Sequence, residues 1–237
     1  MDQASTSQNQ IVVGYWAIRS YAEPIRLTLH YTKTPFTDKL YMQGEGPEYS
    51  REDWLSEKQK LGLDFPNLPY LFDGDFKITQ SKAILYYLGR KFNLMGKNLN
   101  EEARVMMLCE EAHDLRSNLN TVCYGPGAES DEARAKFVAT TLTVSMEKFD
   151  NYFGKCTTKF AVGDEPTVAD FQVYAYIDSC LLLDGGHALL DKYANVKQYL
   201  KKISEIPEIK DYIVQSHAQL PINNKVAKFG GKVINKP

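Results

Sequence analysis

The sequence predicts an α+β protein, in which a small α/β domain is followed by an all-α domain. Three observations indicate this. Short β-rich runs alternate with helical segments in the first part of the chain. An Asp-Gly pair between two of those runs is a strong hairpin signal. From about residue 100 onward, apolar residues recur every three or four positions, as in packed helices.

Composition excludes several classes of function. The 237 residues include 28 basic and 30 acidic side chains, so no charge pattern suggests binding to nucleic acid or to an anionic membrane. No apolar run approaches the roughly 20 residues that span a bilayer, and the residues before the first strand lack the apolar h-region of a signal peptide, so we expect neither a membrane span nor a signal peptide. The four cysteines form no Cys-x-x-Cys and no metal-ligand spacing with the four histidines. We therefore expect reduced thiols, no metal and a cytoplasmic location.

The first elements alternate between strand and helix. Residues 1–10 are polar and unpatterned, so we predict a disordered leader. Ile11–Trp16 is a β-rich run, Ala22-Glu23-Pro24 opens a helix with the proline in its first turn, and Phe36–Tyr41 is a second strand. Tyr15 ends the first strand, where it is either a core residue or a donor to a bound ligand.

The stretch from 64 to 88 predicts a hairpin and a helix. Asp73-Gly74 separates the apolar runs 69–72 and 76–78, and it predicts a type I′ turn with positive φ at both residues. Pro69 opens the first run, where a missing N–H does no harm. Ser81 is the expected N-cap of the next helix, whose free N–H groups could hold an anion. Strand, helix, strand, hairpin and helix follow the order of a thioredoxin-like fold.

The segment 42–63 combines an exposed loop with a short helix. The loop MQGEGPEYS has two glycines and a proline, but it is acidic and lacks the Lys-Ser/Thr of a phosphate-binding loop. Arg51, Trp54 and Lys58 then follow at i, i+3 and i+7, which would place two cations and an indole on one helix face. A solvated helix with a partly buried tryptophan is the alternative.

The remainder predicts a helical bundle after a linker at 90–100. Apolar residues at spacings of 3, 4, 3, 4 and 3 predict one packed face of a long helix. They are Val105, Leu108, Ala112, Leu115, Leu119 and Val122. A Gly-Pro-Gly break ends it, and a second helix carries Val138, Leu142, Phe149 and Phe153. Thr167 and Asp170 predict a capping box for a buried third helix. Helices at 196–203 and 207–216 complete domain 99–222, and the lysine-containing tail 223–237 is expected to be solvated.

Several long motifs, GYWxIR, REDWLSEKxxLGLDFPNLPYL and KITQSKAI, resemble the mu class of glutathione transferases. At the end of the first strand, thioredoxins carry Cys-x-x-Cys, whereas this chain has Tyr15-Trp16. The resemblance implies a glutathione transferase fold, with a thioredoxin-like domain at 11–92. It also implies a homodimer that conjugates glutathione to small hydrophobic electrophiles. Glutathione would be a co-substrate, and no other cofactor would be needed. Neither nucleic acid nor membrane is an implied partner.

The resemblance also implies residue roles. The Tyr15 phenol would donate a hydrogen bond to the glutathione sulfur. The glycyl end of glutathione would be bound by Trp16, Arg51, Trp54 and Lys58. The cysteine would be bound by Asn67, Leu68 and a cis Pro69. The γ-glutamyl end would be bound by Gln80 and Ser81. Asp114 would reach the γ-glutamyl ammonium across the dimer interface, and Phe65 would insert into the partner subunit.

By the same resemblance, the electrophile would lie among Tyr15, Ile18, Tyr21, Tyr124 and Phe229. This part departs from vertebrate mu enzymes because more polar residues replace apolar ones at Tyr21, Arg116, Ser117, Asn120, Asn223 and Asn224. Two other functions remain open. A non-catalytic relative would be expected to have lost Tyr15 or the Arg51, Trp54 and Lys58 set, whereas a glutathione-dependent isomerase would use the same thiolate on another substrate.

Overall fold

The computed structural model describes residues 10–128, 130–183 and 185–234. Residues 1–9 of the predicted leader lie outside the described residues, as do the last three residues of the tail. Within the described residues, no helix is both long and apolar enough to cross a membrane.

A four-stranded mixed sheet forms the centre of the N-terminal region. Its strands are β1 (Ile11–Trp16), β2 (Phe36–Tyr41), β3 (Tyr70–Asp73) and β4 (Phe76–Thr79), in the order β2-β1-β3-β4. β2 is parallel to β1, and the other two pairs are antiparallel. A 3₁₀ turn at Ser20–Ala22 leads into α1 (Glu23–Tyr31), and α2 (Glu52–Lys58) and α3 (Ser81–Lys91) follow. This arrangement confirms the predicted α/β domain.

The hairpin turn differs from its prediction. Asp73 pairs with Phe76, so the turn residues are Gly74 and Asp75 rather than Asp73 and Gly74. Of these two residues, only Gly74 has a positive φ, which is 61°. This fits a type II′ turn with glycine in the first position and not a type I′ turn. Asp73 stays in the ladder because its carboxylate accepts a hydrogen bond from the Tyr87 hydroxyl at 2.7 Å and pairs with Lys91.

The N-cap prediction at Ser81 is also wrong by one residue. Ser81 is the first residue of α3, and Gln80 is the N-cap, without a side-chain capping bond. Gln80 has φ 73° and ψ 112°, a conformation that non-glycine residues rarely adopt. This backbone conformation turns the chain from β4 directly into α3, so Ser81 is already helical and cannot cap the helix.

The C-terminal region is helical, as predicted. Its helices are α4 (Leu99–Tyr124), α5 (Asp131–Phe137), α6 (Thr143–Lys155), α7 (Val168–Leu181), α8 (Gly186–Leu190), α9 (Ala194–Ser204) and α10 (Pro207–Gln219). A π-helical segment, Val138–Leu142, joins α5 to α6, so the predicted second helix contains a local widening. The short helix α8 was not predicted.

The central helix α7 is buried along its whole length. Its capping box is present as predicted, because the Asp170 carboxylate accepts bonds from the Thr167 N–H at 2.8 Å and the Thr167 hydroxyl at 2.9 Å. The same carboxylate also accepts from the Ala161 N–H and the Tyr199 hydroxyl. One buried carboxylate thus fixes the start of α7 and joins it to α9.

The tail is not a solvated extension in its described part, which corrects that prediction. Asn223 is fully buried, and its N–H donates to the Gly230 carbonyl at 3.0 Å. The Lys228 N–H donates to the Cys123 carbonyl at 2.9 Å, at the end of α4. These bonds satisfy backbone groups that water would otherwise solvate, so the tail folds back over the end of α4.

Candidate active site

Towards the C-terminal end of β1, the last residue pair between β1 and β3 is Gly14 with Tyr70. Tyr15 is the next residue of β1. The peptide bond between Leu68 and Pro69 is cis, as the resemblance implied. Tyr15 is buried and packs in a cluster with Ile18, Ala22 and Leu68. The end of β1 and the segment before β3 thus bring the phenol and the Leu68 backbone to the same edge of the sheet.

Burial raises the pKa of the Tyr15 phenol above its usual value of 10.0. The Ser20 side chain, the charge of Arg116 and the Tyr21 backbone N–H each act in the opposite direction, but burial dominates. The phenol is therefore protonated at neutral pH. It can donate its proton in a hydrogen bond, and it is a poor general base.

The three residues expected on one face of α2 differ in burial. Trp54 is buried, with its ring 5.3 Å from that of Tyr41 and 6.3 Å from that of Tyr70. Arg51, the exposed N-cap, and Lys58, in the last turn, have no ion pair within the described residues. The tryptophan thus anchors the helix and leaves both cations available to a carboxylate.

A second anion-accepting feature is the start of α3. The first bond of the helix runs from the Ile84 N–H to the Gln80 carbonyl at 2.9 Å, so the preceding N–H groups have no acceptor within the helix. Gln80 is exposed, and Ser81 is half-buried beside it. Asn67 is exposed before the cis bond, and Trp16 is half-buried in the clusters that contain Leu68.

Phe65 and Asp114 have positions that suit contact with another chain. Phe65 is 75% exposed, although the Thr79 hydroxyl holds its carbonyl at 3.0 Å. An exposed phenylalanine ring on an ordered backbone leaves a large apolar area in water. Asp114 is on the exposed side of α4. Their roles in a dimer remain predictions.

The residues expected around an electrophile converge on the end of α4. Ile18 and Tyr21 pack in the cluster of Tyr15, and the Tyr21 hydroxyl accepts a bond from Asn120 Nδ2 at 2.6 Å. The Tyr124 hydroxyl accepts a bond from the Asn224 N–H at 2.7 Å. Phe229 packs partly buried against the helical core.

The tail also contacts the loop between β2 and α2, which sequence reasoning missed. The Gln43 side-chain carbonyl accepts from the Val226 N–H at 2.9 Å, and Lys225 pairs with Glu45. A cavity of about 550 Å³ lies between this loop and the tail, lined in part by Tyr49 and Phe229. The loop and the tail are far apart in sequence, and no local pattern indicated their contact.

The sequence indicates Arg116 only as a polar departure near the electrophile, but the structure buries it completely. A signal for this was present. Cys109, Ala112, Arg116 and Leu119 follow at spacings of 3, 4 and 3, all on the buried side of α4. An arginine at such a position requires acceptors inside the protein, and it therefore marks a polar site.

The chain matches two family models, the glutathione S-transferase N-terminal domain over residues 11–90 and the C-terminal domain over 113–216. It is 41% identical over 223 residues to glutathione S-transferase Mu 4 of Rattus norvegicus, covering 94% of this chain and 99% of that one. Glutathione S-transferase of Dermatophagoides pteronyssinus is 38% identical and covers 86% of this chain and 90% of its own length.

Two solved structures show the same fold. The glutathione S-transferase Blo t 8 has a TM-score of 0.85 at 33% identity, covering 92% of this chain and 99% of that one. The pi-class enzyme of Onchocerca volvulus has a TM-score of 0.80 at 28% identity, with the same coverage. The α/β domain, the helical domain and the buried tyrosine at the sheet edge define a glutathione transferase fold. The chain belongs to the glutathione S-transferase family, and it is similar to the mu class over nearly its whole length.

Proposed function

We propose that this chain conjugates reduced glutathione to small hydrophobic electrophiles, with Tyr15 donating a hydrogen bond to the glutathione thiolate. The buried, protonated phenol beside Leu68 is the observation that carries this proposal. A donor that stays protonated at neutral pH stabilises an anion next to it without competing for its proton.

One hydrogen bond from the phenol is strong enough to keep most of the glutathione thiol ionised. A free thiol has a pKa of about 8.5, so keeping glutathione mostly ionised at pH 7 requires a downward shift of about 2 units, or roughly 2.7 kcal/mol. A hydrogen bond to a charged acceptor contributes about 1.5–3 kcal/mol. One phenol can therefore supply most of the shift.

The rest of glutathione fits the features around Tyr15. Arg51 and Lys58, without ion pairs in the described part, suit the glycyl carboxylate. The free N–H groups at the start of α3 suit the γ-glutamyl carboxylate, since a helix N-terminus carries partial positive charge. Trp16, Trp54, Asn67, Leu68, Pro69, Gln80 and Ser81 complete the proposed site.

The proposal includes a homodimer in the cytoplasm. Exposure of Phe65 supports the dimer, because a second subunit would remove that ring from water and bring Asp114 to the site. Free thiols at Cys109, Cys123, Cys156 and Cys180 suit a reducing compartment.

The test is the thiolate absorbance of the enzyme–glutathione complex across pH. In the wild type the thiol should titrate about 2 units below free glutathione, and Tyr15→Phe should move this titration upward by about 1–2 units. Turnover should fall steeply while glutathione affinity changes only a few-fold. Tyr193→Phe is the matched control, because its hydroxyl bonds the Thr143 carbonyl away from the sheet edge. A wild-type complex that titrates like free glutathione would favour a passive binder.

A further inference from the structure

The helix α2 bears both cations proposed for the glycyl end of glutathione, and it is only seven residues long. Isolated helices of this length are unstable in water, so contacts with the rest of the fold must hold it. Two carboxylates four residues apart bond it to the end of β2. Asp53 Oδ2 accepts from the Met42 N–H at 2.6 Å, and Glu57 Oε2 accepts from the Tyr41 hydroxyl at 2.9 Å. These polar contacts, together with the packing of Trp54, set the position of α2.

The Glu57 carboxylate ends a chain of hydrogen bonds that crosses the sheet. The Tyr41 hydroxyl lies 3.0 Å from the Tyr70 hydroxyl, and both side chains are buried. A carboxylate only accepts, so the single proton of Tyr41 goes to Glu57 and Tyr70 donates to Tyr41. Burial raises the pKa of the Tyr41 phenol, and the bond from Lys39 lowers the pKa of the Glu57 carboxyl. Tyr41 is therefore protonated and Glu57 is ionised at neutral pH, as this chain requires.

Tyr70 reaches across a whole strand to make its contact. In the sheet order β2-β1-β3-β4, β1 lies between Tyr41 on β2 and Tyr70 on β3. Tyr70 is paired with Gly14 of β1, and a Cβ at Gly14 would lie 2.1 Å from the Tyr70 ring. The ring thus passes over Gly14 to meet Tyr41. Because Tyr70 directly follows Pro69, the chain joins the Leu68-Pro69 segment to α2.

The hydrogen-bond chain therefore connects two parts of the proposed glutathione site. Segment 59–67, all of it described by the structure, contains neither helix nor strand and is mostly exposed, so it cannot itself fix the distance between them. We propose that Tyr41 and Glu57 are positioning residues, which with Tyr70 hold α2 at a fixed place relative to the Leu68 backbone. The glycyl carboxylate and the cysteine of one glutathione molecule can then be bound together without reorganisation of the site.

Lys39 accounts for the presence of a carboxylate so close to an anion site. Its Nζ pairs with the Glu57 carboxylate and lies 5.1 Å from the centre of the Tyr41 ring. An unpaired carboxylate on the same short helix would compete with the glycyl carboxylate for Arg51 and Lys58. The pair with Lys39 leaves those two cations to the ligand.

The inference rests on the proposed function, because it assumes that Arg51 and Lys58 bind the glycyl carboxylate. The test compares glutathione with γ-glutamylcysteine, which lacks the glycine. Steady-state kinetics with one electrophile give the KM of each peptide, and the ratio of the two KM values measures what the glycyl end contributes. Tyr41→Phe keeps the ring and removes the donor. Glu57→Gln keeps an acceptor for Tyr41 but removes the charge.

We expect Tyr41→Phe to raise the KM for glutathione by about 3–10-fold, less than the roughly 100-fold that misplacing a reacting group can cause. The KM for γ-glutamylcysteine and the kcat at saturating glutathione should stay nearly unchanged. Glu57→Gln should act in the same direction but less strongly, because its amide oxygen still accepts from Tyr41. The double variant should add little to Tyr41→Phe, because both changes affect one hydrogen bond.

Tyr87→Phe is the matched control for a purely structural effect. It removes another phenol–carboxylate bond of the same domain, from Tyr87 to Asp73 at 2.7 Å, and this bond does not involve α2. Like Tyr41→Phe, it should lower the free energy of unfolding in urea. Unlike Tyr41→Phe, it should leave the KM ratio of the two peptides at the wild-type value.

Equal increases in KM for both peptides, or no increase for either, would overturn the inference and leave the chain with a structural role only. If Tyr41→Phe does not fold, Glu57→Gln and Tyr70→Phe decide the question by the same ratio. A wild type with equal KM values for the two peptides would overturn the inference together with the placement of the glycyl end. The effect of Tyr15→Phe on the thiolate would still test the proposed function separately.

Discussion

The Tyr70 ring lies directly over Gly14 on the neighbouring strand, so closely that a Cβ at Gly14 would be 2.1 Å from ring atoms Cε1 and Cζ. The ring cannot easily withdraw, because Tyr41, Trp54 and Phe72 pack around it at centroid distances of 6.3, 6.3 and 4.7 Å. The absence of a side chain at position 14 therefore allows β1 and β3 to pair just before Tyr15.

We expect Gly14→Ala to destabilise the protein by about 1–3 kcal/mol, the usual effect of overpacking a core. Urea unfolding followed by tryptophan fluorescence measures this. In a Tyr70→Leu background the same alanine should destabilise much less, since the ring that it meets is gone. The same loss of unfolding free energy in both backgrounds would contradict the steric explanation.

Arg51→Ala and Lys58→Ala should each raise the KM for glutathione several-fold and leave the KM for the electrophile nearly unchanged. Both cations lack an ion pair in the described part, so neither substitution breaks an internal contact of that kind. Steady-state kinetics with each substrate varied in turn measure the effect. Lys60→Ala is the matched control, because Lys60 is an exposed lysine just beyond α2. Equal changes for both substrates would reject this placement of the glycyl end.

Phe65→Ala should weaken a homodimer by up to about 3–5 kcal/mol if the ring is fully buried in the partner. Sedimentation of the 26.9 kDa chain across a concentration series measures the dissociation constant. Phe76→Ala provides a control, because this ring is 45% exposed but packs on Tyr87 of the same chain, at 4.8 Å between centroids. A wild-type chain that sediments as a monomer at micromolar concentration would reject the roles of Phe65 and Asp114.

His30 should make stability depend on pH near neutrality. Burial lowers the pKa of its imidazole below 6.5, and the ring stacks on Tyr212 at 4.0 Å. As pH falls through about 6.5, the unfolded chain takes up the proton before the folded one does, so folding stability decreases. Urea midpoints at pH about 7.5 and about 5.5 measure this.

His30→Phe keeps an aromatic ring and should reduce that decrease. It should not abolish it, because burial also lowers the pKa of His113. The wild type and the variant should differ most at the lower pH. An unchanged pH dependence in His30→Phe would show that His30 does not contribute to it.

Local sequence patterns were sufficient for most of the order of elements, although the short helix α8 was missed. Ile11–Trp16 and Phe36–Tyr41 were found with their observed bounds, because their short length and their β-branched or aromatic content favour a strand over a helix. The capping box of Thr167 and Asp170 was also predictable from the sequence, because its two partners are only three residues apart. The roles of Tyr15, Arg51 and the other site residues come from the family resemblance, and they remain predictions.

Tertiary structure decided four features that the sequence did not predict. They are the turn at Gly74, the cap at Gln80, the course of the tail and the contacts of Arg116. Asp73 is kept in the ladder by Tyr87 and Lys91 of α3, which no hairpin rule includes. Arg116 on α4 meets Ser20 and Asn223 only because the two domains and the tail pack together. Patterns within a few residues determine which helices and strands form. Where a buried charge finds its acceptors depends on segments that are distant in the chain, and folding alone brings those together.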